Sequence, residues 1–160
     1  LVIAWTFILG GIAIWLIETY HTPRPAKEKP QFDTLTLKQS LQVGLYQTIA
    51  LVPGVSRSGA TIMGGLLSGL DRVTATAFSF YLSIPIILLA GTYKLLKGWD
   101  DLASISGGGA AIIAGTIVSF ITAFIAIGWL LRYVSKHNFK PFAYYRITLG
   151  LIILFVLAFV

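Results

Sequence analysis

Long apolar stretches, separated by short polar segments, run through the whole sequence. A helix needs about 20 mainly apolar residues to cross a bilayer, and four stretches approach or exceed that length. The four predicted spans are residues 1–17, 74–96, 110–131 and 144–160. The pattern predicts an all-α integral membrane protein in which residues 1–160 form a single membrane domain.

The segment between the first two spans divides into two parts. Residues 18–38 carry three prolines and seven charged residues, which keep them out of lipid as a polar linker. The apolar pieces that follow, 39–52 and 59–70, would be only about 18–21 Å long as helices, too short to cross. We therefore predict a re-entrant helix pair over 39–70. Its halves meet at PGVSRSGAT, where non-helical backbone must line a cavity or contact protein.

Composition agrees with a membrane location and narrows the functional classes. Of the 160 residues, 56% are hydrophobic and 11% are charged, with a mean hydropathy of +0.83, whereas soluble domains carry about 25% charged residues. The net charge of +6 comes from basic residues in short loops, a distribution that favours lipid headgroups over nucleic acid. The absence of cysteine excludes disulfides, thiolate metal sites and thiol catalysis.

The distribution of basic residues predicts an orientation. If 39–70 enters and leaves on one side, that side carries eight basic residues and the opposite side only Lys94 and Lys97. A single crossing would split the same residues six to four. The positive-inside rule favours the first arrangement and places the eight-residue face in the cytoplasm. The eight residues are Arg24, Lys27, Lys29, Lys38, Arg72, Arg132, Lys136 and Lys140.

The segment PGVSRSGAT, residues 53–61, carries the candidate chemistry. Arg57 lies between two apolar runs, where an arginine costs at least about 2.5–3.5 kcal/mol on insertion scales, so an anionic partner is expected. A helix that opens at about residue 59 would add unpaired N–H groups and the positive end of its dipole. A forked guanidinium, hydroxyls and free N–H groups together indicate a phosphate site. The hydroxyls and glycines of the segment are Ser56, Ser58, Thr61, Gly54 and Gly59.

A purely structural interpretation of this segment stays open. In this interpretation, Ser and Thr side chains cap a helix while Arg57 pairs with a carboxylate from another segment.

Two catalytic motifs, the P-loop and the acid phosphatase type of lipid phosphatase, do not fit the residues of this segment. Ala60 stands where a P-loop has its lysine, and no β-strand precedes it. Met63 stands where the acid phosphatase type of lipid phosphatase has its nucleophilic histidine.

The segments LVPGVSRSGATIMGGLLSGLDR, FSFYLSIPIILLAG and FAYYRITLG closely resemble the bacitracin-resistance type of undecaprenyl pyrophosphate phosphatase. The resemblance implies hydrolysis of the terminal phosphate of a C55 polyprenyl diphosphate, which recycles the cell-wall lipid carrier and confers bacitracin resistance. It also implies a multi-pass protein of the bacterial plasma membrane and a Mg²⁺ or Ca²⁺ cofactor. The implied fold is an inverted repeat in which two re-entrant hairpins meet. A homodimer is a further option.

The resemblance implies which residues of this sequence are functional, by their positions in the PGVSRSGAT motif. Ser56, Arg57 and Thr61 are expected to be catalytic, with Arg57 binding the diphosphate and stabilising charge on the transferred phosphoryl group. Gln47 would point into the same cavity, although an amide satisfied by a neighbouring helix is an equal alternative. The expected substrate-binding residues are Ser58, Gly54, Gly59 and Gln47.

One half of the family's site has no counterpart in this sequence. The family's glutamate-rich motif and its Pro-x-Ser-Ser-x-x-His loop are not found, and the six acidic residues lie at span ends or in loops, with no pair spaced to share a metal. His21 and His137 lie in polar segments, where solvated histidines are expected. We therefore expect no metal ligand in this chain, a sequence that begins inside a longer protein, and an isolated fragment that is inactive.

Two other functional classes remain as alternatives. A membrane transporter or flippase for an anionic lipid or phosphate-containing substrate is the main one, because broken helices in inverted repeats are a transporter architecture. A non-catalytic membrane scaffold is the other. Arg146 is expected to snorkel or to pair internally, and Gly65 with Gly69 to allow close helix packing.

Overall fold

A computed structural model describes residues 1–21, 25, 27, 29–99 and 107–159. Parts of the predicted linker and of the polar segment after the second span therefore lie outside the described residues. Within the described part there are six α-helices and no β-strand, which confirms the prediction of an all-α protein. Short 3-10 segments cover Phe32–Thr34 and Thr48–Leu51. The helices are α1 (Val2–Tyr20), α2 (Leu37–Gln47), α3 (Arg57–Leu67), α4 (Arg72–Lys97), α5 (Gly108–Val134) and α6 (Lys140–Phe159).

Four of these helices, α1, α4, α5 and α6, are long and apolar enough to cross a membrane. The shortest of the four has 19 residues, or about 28 Å of helix, close to the thickness of a bilayer core. Helices α2 and α3 have 11 residues each, or about 16 Å. The prediction of four spans is confirmed, and the chain is a multi-pass membrane protein.

Helices α2, α3 and α4 begin earlier than their apolar runs because polar cap residues set their starts. Thr36 forms a capping box with Gln39, Ser56 caps α3, and Asp71 caps α4 through the backbone N–H groups of the first turn. Each helix therefore starts two residues before the apolar run that predicted it. The cap and not the first apolar side chain decides where the helix begins.

Helices α1 and α6 form a closely packed antiparallel pair. A Cβ atom on Gly11 would lie 2.8 Å from the carbonyl oxygen of Ala143, and one on Gly150 would lie 2.8 Å from that of Ala4. Glycines on both helices therefore let the two backbones approach each other, as in other membrane helix pairs. Of the two shorter helices, α3 packs against α1 of this pair, and α2 packs against α3.

Helices α2 and α3 form a hairpin whose tip is the segment 48–56. The Tyr46 side chain lies over Gly64, and Gln39 Nε2 donates to the Ser68 carbonyl oxygen at 3.0 Å. The end of α2 thus meets the middle of α3, and its start meets the end of α3. The two helices run antiparallel, as a re-entrant pair requires.

A buried carboxylate joins α1, α4 and the turn before α6. Glu18 accepts hydrogen bonds from Arg72 Nε at 3.0 Å, from Arg72 Nη2 at 2.6 Å and from the Phe139 backbone N–H at 3.1 Å. A hydrophobic core lies beside this cluster and draws on α1 to α4 and the α5–α6 turn. Its largest members are Ile14, Val43, Ile62, Met63, Leu66, Leu70, Val73, Val134 and Phe139.

The hairpin tip lies far from this charged end of the bundle. Gly54 contacts Ile3 and Thr6 near the start of α1, whereas Glu18 lies near the end of the same helix. Twelve positions of helix separate Thr6 from Glu18, which is about 18 Å. A depth of that size within a bilayer core of about 30 Å agrees with the re-entrant arrangement, which stays a prediction.

Candidate functional site

The hairpin tip is fixed by a turn that only glycine fits. Gly54 has φ +88°, a left-handed conformation that other residues rarely adopt. A Cβ atom at this position would also collide with the Thr6 hydroxyl and lie 3.0 Å from Ile3 Cα. The Val55 N–H donates to the Val52 carbonyl oxygen at 3.1 Å and closes the turn. Gly54, expected from the sequence to bind substrate, is thus required by the turn and by its contact with α1.

Ser56 ends the turn and starts α3. Its hydroxyl oxygen accepts the Gly59 N–H at 3.0 Å and lies 3.2 Å from the Ser58 hydroxyl. Gly59 leaves room for this cap, since a Cβ atom there would lie 3.1 Å from Ser56 Cβ. The two serines share one hydrogen between them, so the other hydroxyl hydrogen remains for a further acceptor. The structure thus brings Ser56, Ser58 and Gly59 together at the start of α3, and their part in a phosphate site stays a prediction.

Arg57 is the first residue of α3 and has no anionic partner in the described part of the chain. Its Nη1 atom is buried and makes no hydrogen bond there. The ion pair that the described residues do form joins Arg72 to Glu18, so the carboxylate of the structural interpretation is not found among them. A buried, unpartnered guanidinium nitrogen beside the first-turn N–H groups of a helix is suited to bind an anion.

Thr61 lies away from the surface of the loop. Its side chain is buried, and its hydroxyl lies 3.0 Å from the Arg57 carbonyl oxygen and 2.6 Å from the Ser79 hydroxyl. The hydroxyl thus joins α3 to α4. The structure does not bring Thr61 to the same surface as Ser56 and Ser58.

Gln47 is the last residue of α2, and its Oε1 atom is buried without a hydrogen-bond partner among the described residues. The alternative of an amide oxygen satisfied by a neighbouring helix is therefore not seen in that part of the structure. Three buried side-chain atoms lack a partner in the described residues, and they belong to Gln47, Arg57 and Arg146. Buried polar atoms are normally paired, so these three atoms make the hairpin tip the candidate site for a polar ligand.

A largely apolar cavity of about 390 Å³ lies between α1, α2 and α3 beside the hairpin tip. Ser56 and Arg146 contribute polar groups to its wall. Such a cavity accommodates hydrocarbon next to a polar anchor. Its apolar lining comes mainly from Leu9, Ala13, Ile14, Ile17, Ile49, Val55, Ala60, Met63 and Leu67.

Arg146 is the site residue that the sequence interpretation left out of the site. It projects from α6, and its Nη2 atom donates to the Gly54 carbonyl oxygen at 3.1 Å and to the Thr6 carbonyl oxygen at 3.2 Å. It therefore pairs internally, one of the two expectations for it. An arginine inside an apolar span was the only available signal, because its partners lie 92 and 140 positions away along the chain.

The acidic residues of the described part do not fit a divalent cation site. No three His, Asp or Glu side chains lie together there. Glu18 is already bound to Arg72 and to the Phe139 N–H, and Asp71 caps α4 through the Val73 N–H. The Glu18 and Asp71 carboxylates therefore hold helices of the fold in place.

Comparison of the sequence with known proteins identifies its family. The sequence matches the family described as "Bacitracin resistance protein BacA" over residues 1–152. The chain belongs to the BacA family. The matched residues include the loop PGVSRSGAT and the helices α2 and α3 on either side of it.

Individual relatives carry one common name. The chain is 45% identical over 159 residues to the "Undecaprenyl-diphosphatase" of Methylobacillus flagellatus, covering 95% of this chain and 56% of the relative. Identity is 44% to that of a Polaromonas species and 47% to that of Acidovorax ebreus, each covering 96% of this chain and 55% and 54% of the relatives. The chain thus spans about half the length of the curated relatives it matches.

Proposed function

We propose that the full-length parent of this chain is an undecaprenyl-diphosphatase of the bacterial plasma membrane. It would hydrolyse the terminal phosphate of a C55 polyprenyl diphosphate, recycle the cell-wall lipid carrier and so confer bacitracin resistance. This chain would supply the phosphate-binding half of the site. The relatives named undecaprenyl-diphosphatase support the proposal.

The observation that carries the proposal is the buried Nη1 atom of Arg57, which has no hydrogen-bond partner among the described residues. A buried nitrogen with no acceptor costs about 1–3 kcal/mol, a cost that an anionic ligand would remove. The side chain stands at the start of α3, next to the hydroxyls of Ser56 and Ser58. A diphosphate offers the charge and the oxygens that these donors need.

The other predicted residues take different parts in this proposal. The serine hydroxyl hydrogen that Ser56 and Ser58 do not share donates to a phosphate oxygen, while Gly54 and Gly59 allow the turn and the cap that hold the two serines in place. Thr61 acts indirectly, because its hydroxyl bonds to Ser79 and to the backbone beneath Arg57. Gln47 is available to the diphosphate or to its hydration water through its amide group.

The apolar cavity suits the isoprenoid tail of such a substrate. Its polar wall lies at the hairpin tip, so a lipid could place its headgroup at the loop and its first prenyl units between α1 and α3. A Mg²⁺ or Ca²⁺ cofactor belongs to the proposal through the family resemblance. It would need ligands other than the described carboxylates.

The test is phosphate release from a C55 or C15 prenyl diphosphate by the full-length parent, with and without magnesium. We expect metal-dependent release that falls about 10²–10³-fold in Arg57→Ala, the loss typical for a donor that stabilises transition-state charge. Arg57→Lys should also be strongly impaired, because a point charge cannot replace a bidentate fork.

Arg132→Ala is the matched control. Arg132 is an exposed arginine at the end of α5 whose Nε donates within its own helix, to the Gly128 carbonyl oxygen. Its variant should retain full activity. No release from a folded parent, or release unchanged in Arg57→Ala, would overturn the proposal in favour of a transporter or flippase for an anionic lipid.

A further inference from the structure

Arg146 holds the backbone of the hairpin tip from behind. A charged side chain within a membrane span is costly and needs polar partners. In the described residues Arg146 finds them on two carbonyl oxygens, those of Gly54 in the loop and Thr6 in α1. The Thr6 hydroxyl, with its single hydrogen, lies 3.0 Å from the Pro53 carbonyl oxygen and 2.9 Å from the Ile3 carbonyl oxygen of its own helix. The Gly54 carbonyl is therefore held by Arg146, and the Pro53 carbonyl lies next to a hydroxyl that it shares with Ile3.

The guanidinium is fixed in this position by its surroundings. It stacks over the Phe7 ring with 4.5 Å between Cζ and the ring centroid, a cation–π arrangement. Gly10 leaves the necessary space, because a Cβ atom there would lie 2.9 Å from Arg146 Nη2. A side chain held in one place by α1 can fix the loop that it binds.

The terminal nitrogens of Arg146 and Arg57 differ in their hydrogen-bond partners. Both hydrogens of Arg146 Nη2 point to carbonyl oxygens of the protein, whereas Arg57 Nη1 has no partner in the described part. The Gly54 carbonyl lies two residues before Ser56 and three before Arg57. Rotation of the Gly54 peptide would therefore turn the two phosphate-binding side chains away from their present directions.

We infer that Arg146 is a positioning residue, which sets the direction of Ser56 and Arg57 by holding the Gly54 carbonyl. The inference rests on the proposed function, because it assigns Arg146 a role in the same site. In a membrane, a loop carbonyl without a partner is costly, so the Arg146 bond also keeps this non-helical turn in a single conformation.

The first test measures kcat and KM of the full-length parent on a C15 diphosphate for Arg146→Met and Arg146→Lys. Methionine keeps an unbranched chain but removes every donor. We expect kcat to fall about 10–100-fold, since misplacement of catalytic groups by about 1 Å can cost 10²-fold. KM should rise by a smaller factor than kcat falls, because Ser56 and Arg57 remain present but are turned from their directions. Lysine keeps one donor for Gly54 and should retain more of kcat than methionine.

A second variant displaces the Arg146 guanidinium while leaving residue 146 itself unchanged. Gly10→Ala adds a methyl group against Arg146 Nη2 and should lower kcat in the same direction. Gly91→Ala is the matched control, because a Cβ atom there meets nothing within 4 Å, and its kcat should not change. Unchanged kcat in a folded Arg146→Met protein would overturn the inference. A raised KM with unchanged kcat would also overturn it, by showing direct substrate binding.

Amide hydrogen exchange tests the role of Arg146 independently of whether the parent protein is a phosphatase. In Arg146→Met and Gly10→Ala, the Val55 amide and its neighbours should exchange faster than in Gly91→Ala, whether or not the parent is active. A parent that releases no phosphate overturns the proposed function, while the exchange result still tests the hold of Arg146 on the loop. Equal exchange in all proteins would contradict that hold.

Discussion

Three arginines lie among the packed helices, and each has different partners in the described structure. Arg72 is paired with Glu18, Arg146 donates to two carbonyl oxygens, and Arg57 keeps a buried Nη1 without a partner. Arg146 also keeps a buried Nε without a partner among the described residues. Arg57 and Arg146 thus both retain a donor for an anion, while Arg146 in addition holds the loop.

Ser56 has a structural and a proposed chemical role, and substitutions can separate the two. Ser56→Ala removes the α3 cap and should lower the free energy of unfolding by about 1 kcal/mol, whereas Ser56→Gly should cost only a few tenths. Neither variant can donate to a phosphate. We therefore expect both to lose phosphate release to a similar degree while thermal unfolding in detergent separates them. Full activity in Ser56→Gly would restrict Ser56 to capping.

The sequence was sufficient to predict the residues that act through a local motif. The clustering of Ser56, Ser58 and Gly59 follows from a cap and a helix start within four positions of the chain. The inward direction of Thr61 depends on Ser79, and the role of Arg146 depends on Gly54. Those contacts come from packing of distant segments, which periodicity and motif spacing do not contain.

At the scale of elements, the hairpin depends on small residues at its internal contact. Gly64 of α3 lies under Tyr46 of α2, and a Cβ atom there would be 2.5 Å from the Tyr46 Cβ and ring carbons. The ring carbons can move by rotation of the side chain, but the Tyr46 Cβ atom moves only with the backbone. The short helices therefore keep their mutual position only while Gly64 is unsubstituted.

Gly64→Ala should accordingly destabilise the protein by about 1–3 kcal/mol, the range for overpacking. Gly44→Ala on α2 is the matched control, because nothing lies within 4 Å of its added Cβ. That control should be neutral or more stable by about 0.4–1 kcal/mol. Thermal unfolding of the two variants in the same detergent checks the prediction, and equal midpoints would contradict the packing argument.

The lengths of the elements could be predicted, but their starts and contacts could not. Apolar run length gave four spans and two shorter helices, because the bilayer imposes that length on any crossing helix. The starts were two residues late, because capping by Thr36, Ser56 and Asp71 extends each helix beyond its apolar run. The Gly54 contact with α1 depends on the tertiary fold alone.

At the scale of the whole molecule, one ionic cluster joins the helices at the end opposite the hairpin tip. Glu18 is fully buried at its side chain and Arg72 retains 20% exposure. The bond from the Phe139 N–H adds the turn before α6 to the same carboxylate. The cluster fixes α1, α4 and α6 relative to one another and thus supports the α1–α6 pair behind the loop.

Glu18→Gln should therefore destabilise the protein by about 3 kcal/mol, the lower end for breaking a buried pair, because Arg72 can still reach solvent. Asp33→Asn changes an exposed carboxylate and serves as the control, with no expected effect on stability. Unfolding midpoints of both variants in detergent provide the comparison. A Glu18→Gln protein as stable as Asp33→Asn would show that the ionic cluster is not needed.

The whole molecule also leaves apolar surface that the described residues do not cover. The most apolar window of α5 has no buried residue in the described structure. Lipid, or another part of the parent protein, would cover such a surface. Because the chain spans about half the length of its relatives, activity has to be measured on the full-length parent.

The most direct test of the central claim is binding of a non-hydrolysable prenyl methylenediphosphonate to the parent protein. Arg57→Met and Arg132→Met are compared with the unsubstituted parent by titration calorimetry in detergent. We predict that Arg57→Met weakens binding about 10–100-fold, the equivalent of one charge-assisted hydrogen bond, and that Arg132→Met binds normally. Equal affinity of Arg57→Met and the parent would contradict the assignment of Arg57 to the phosphate site.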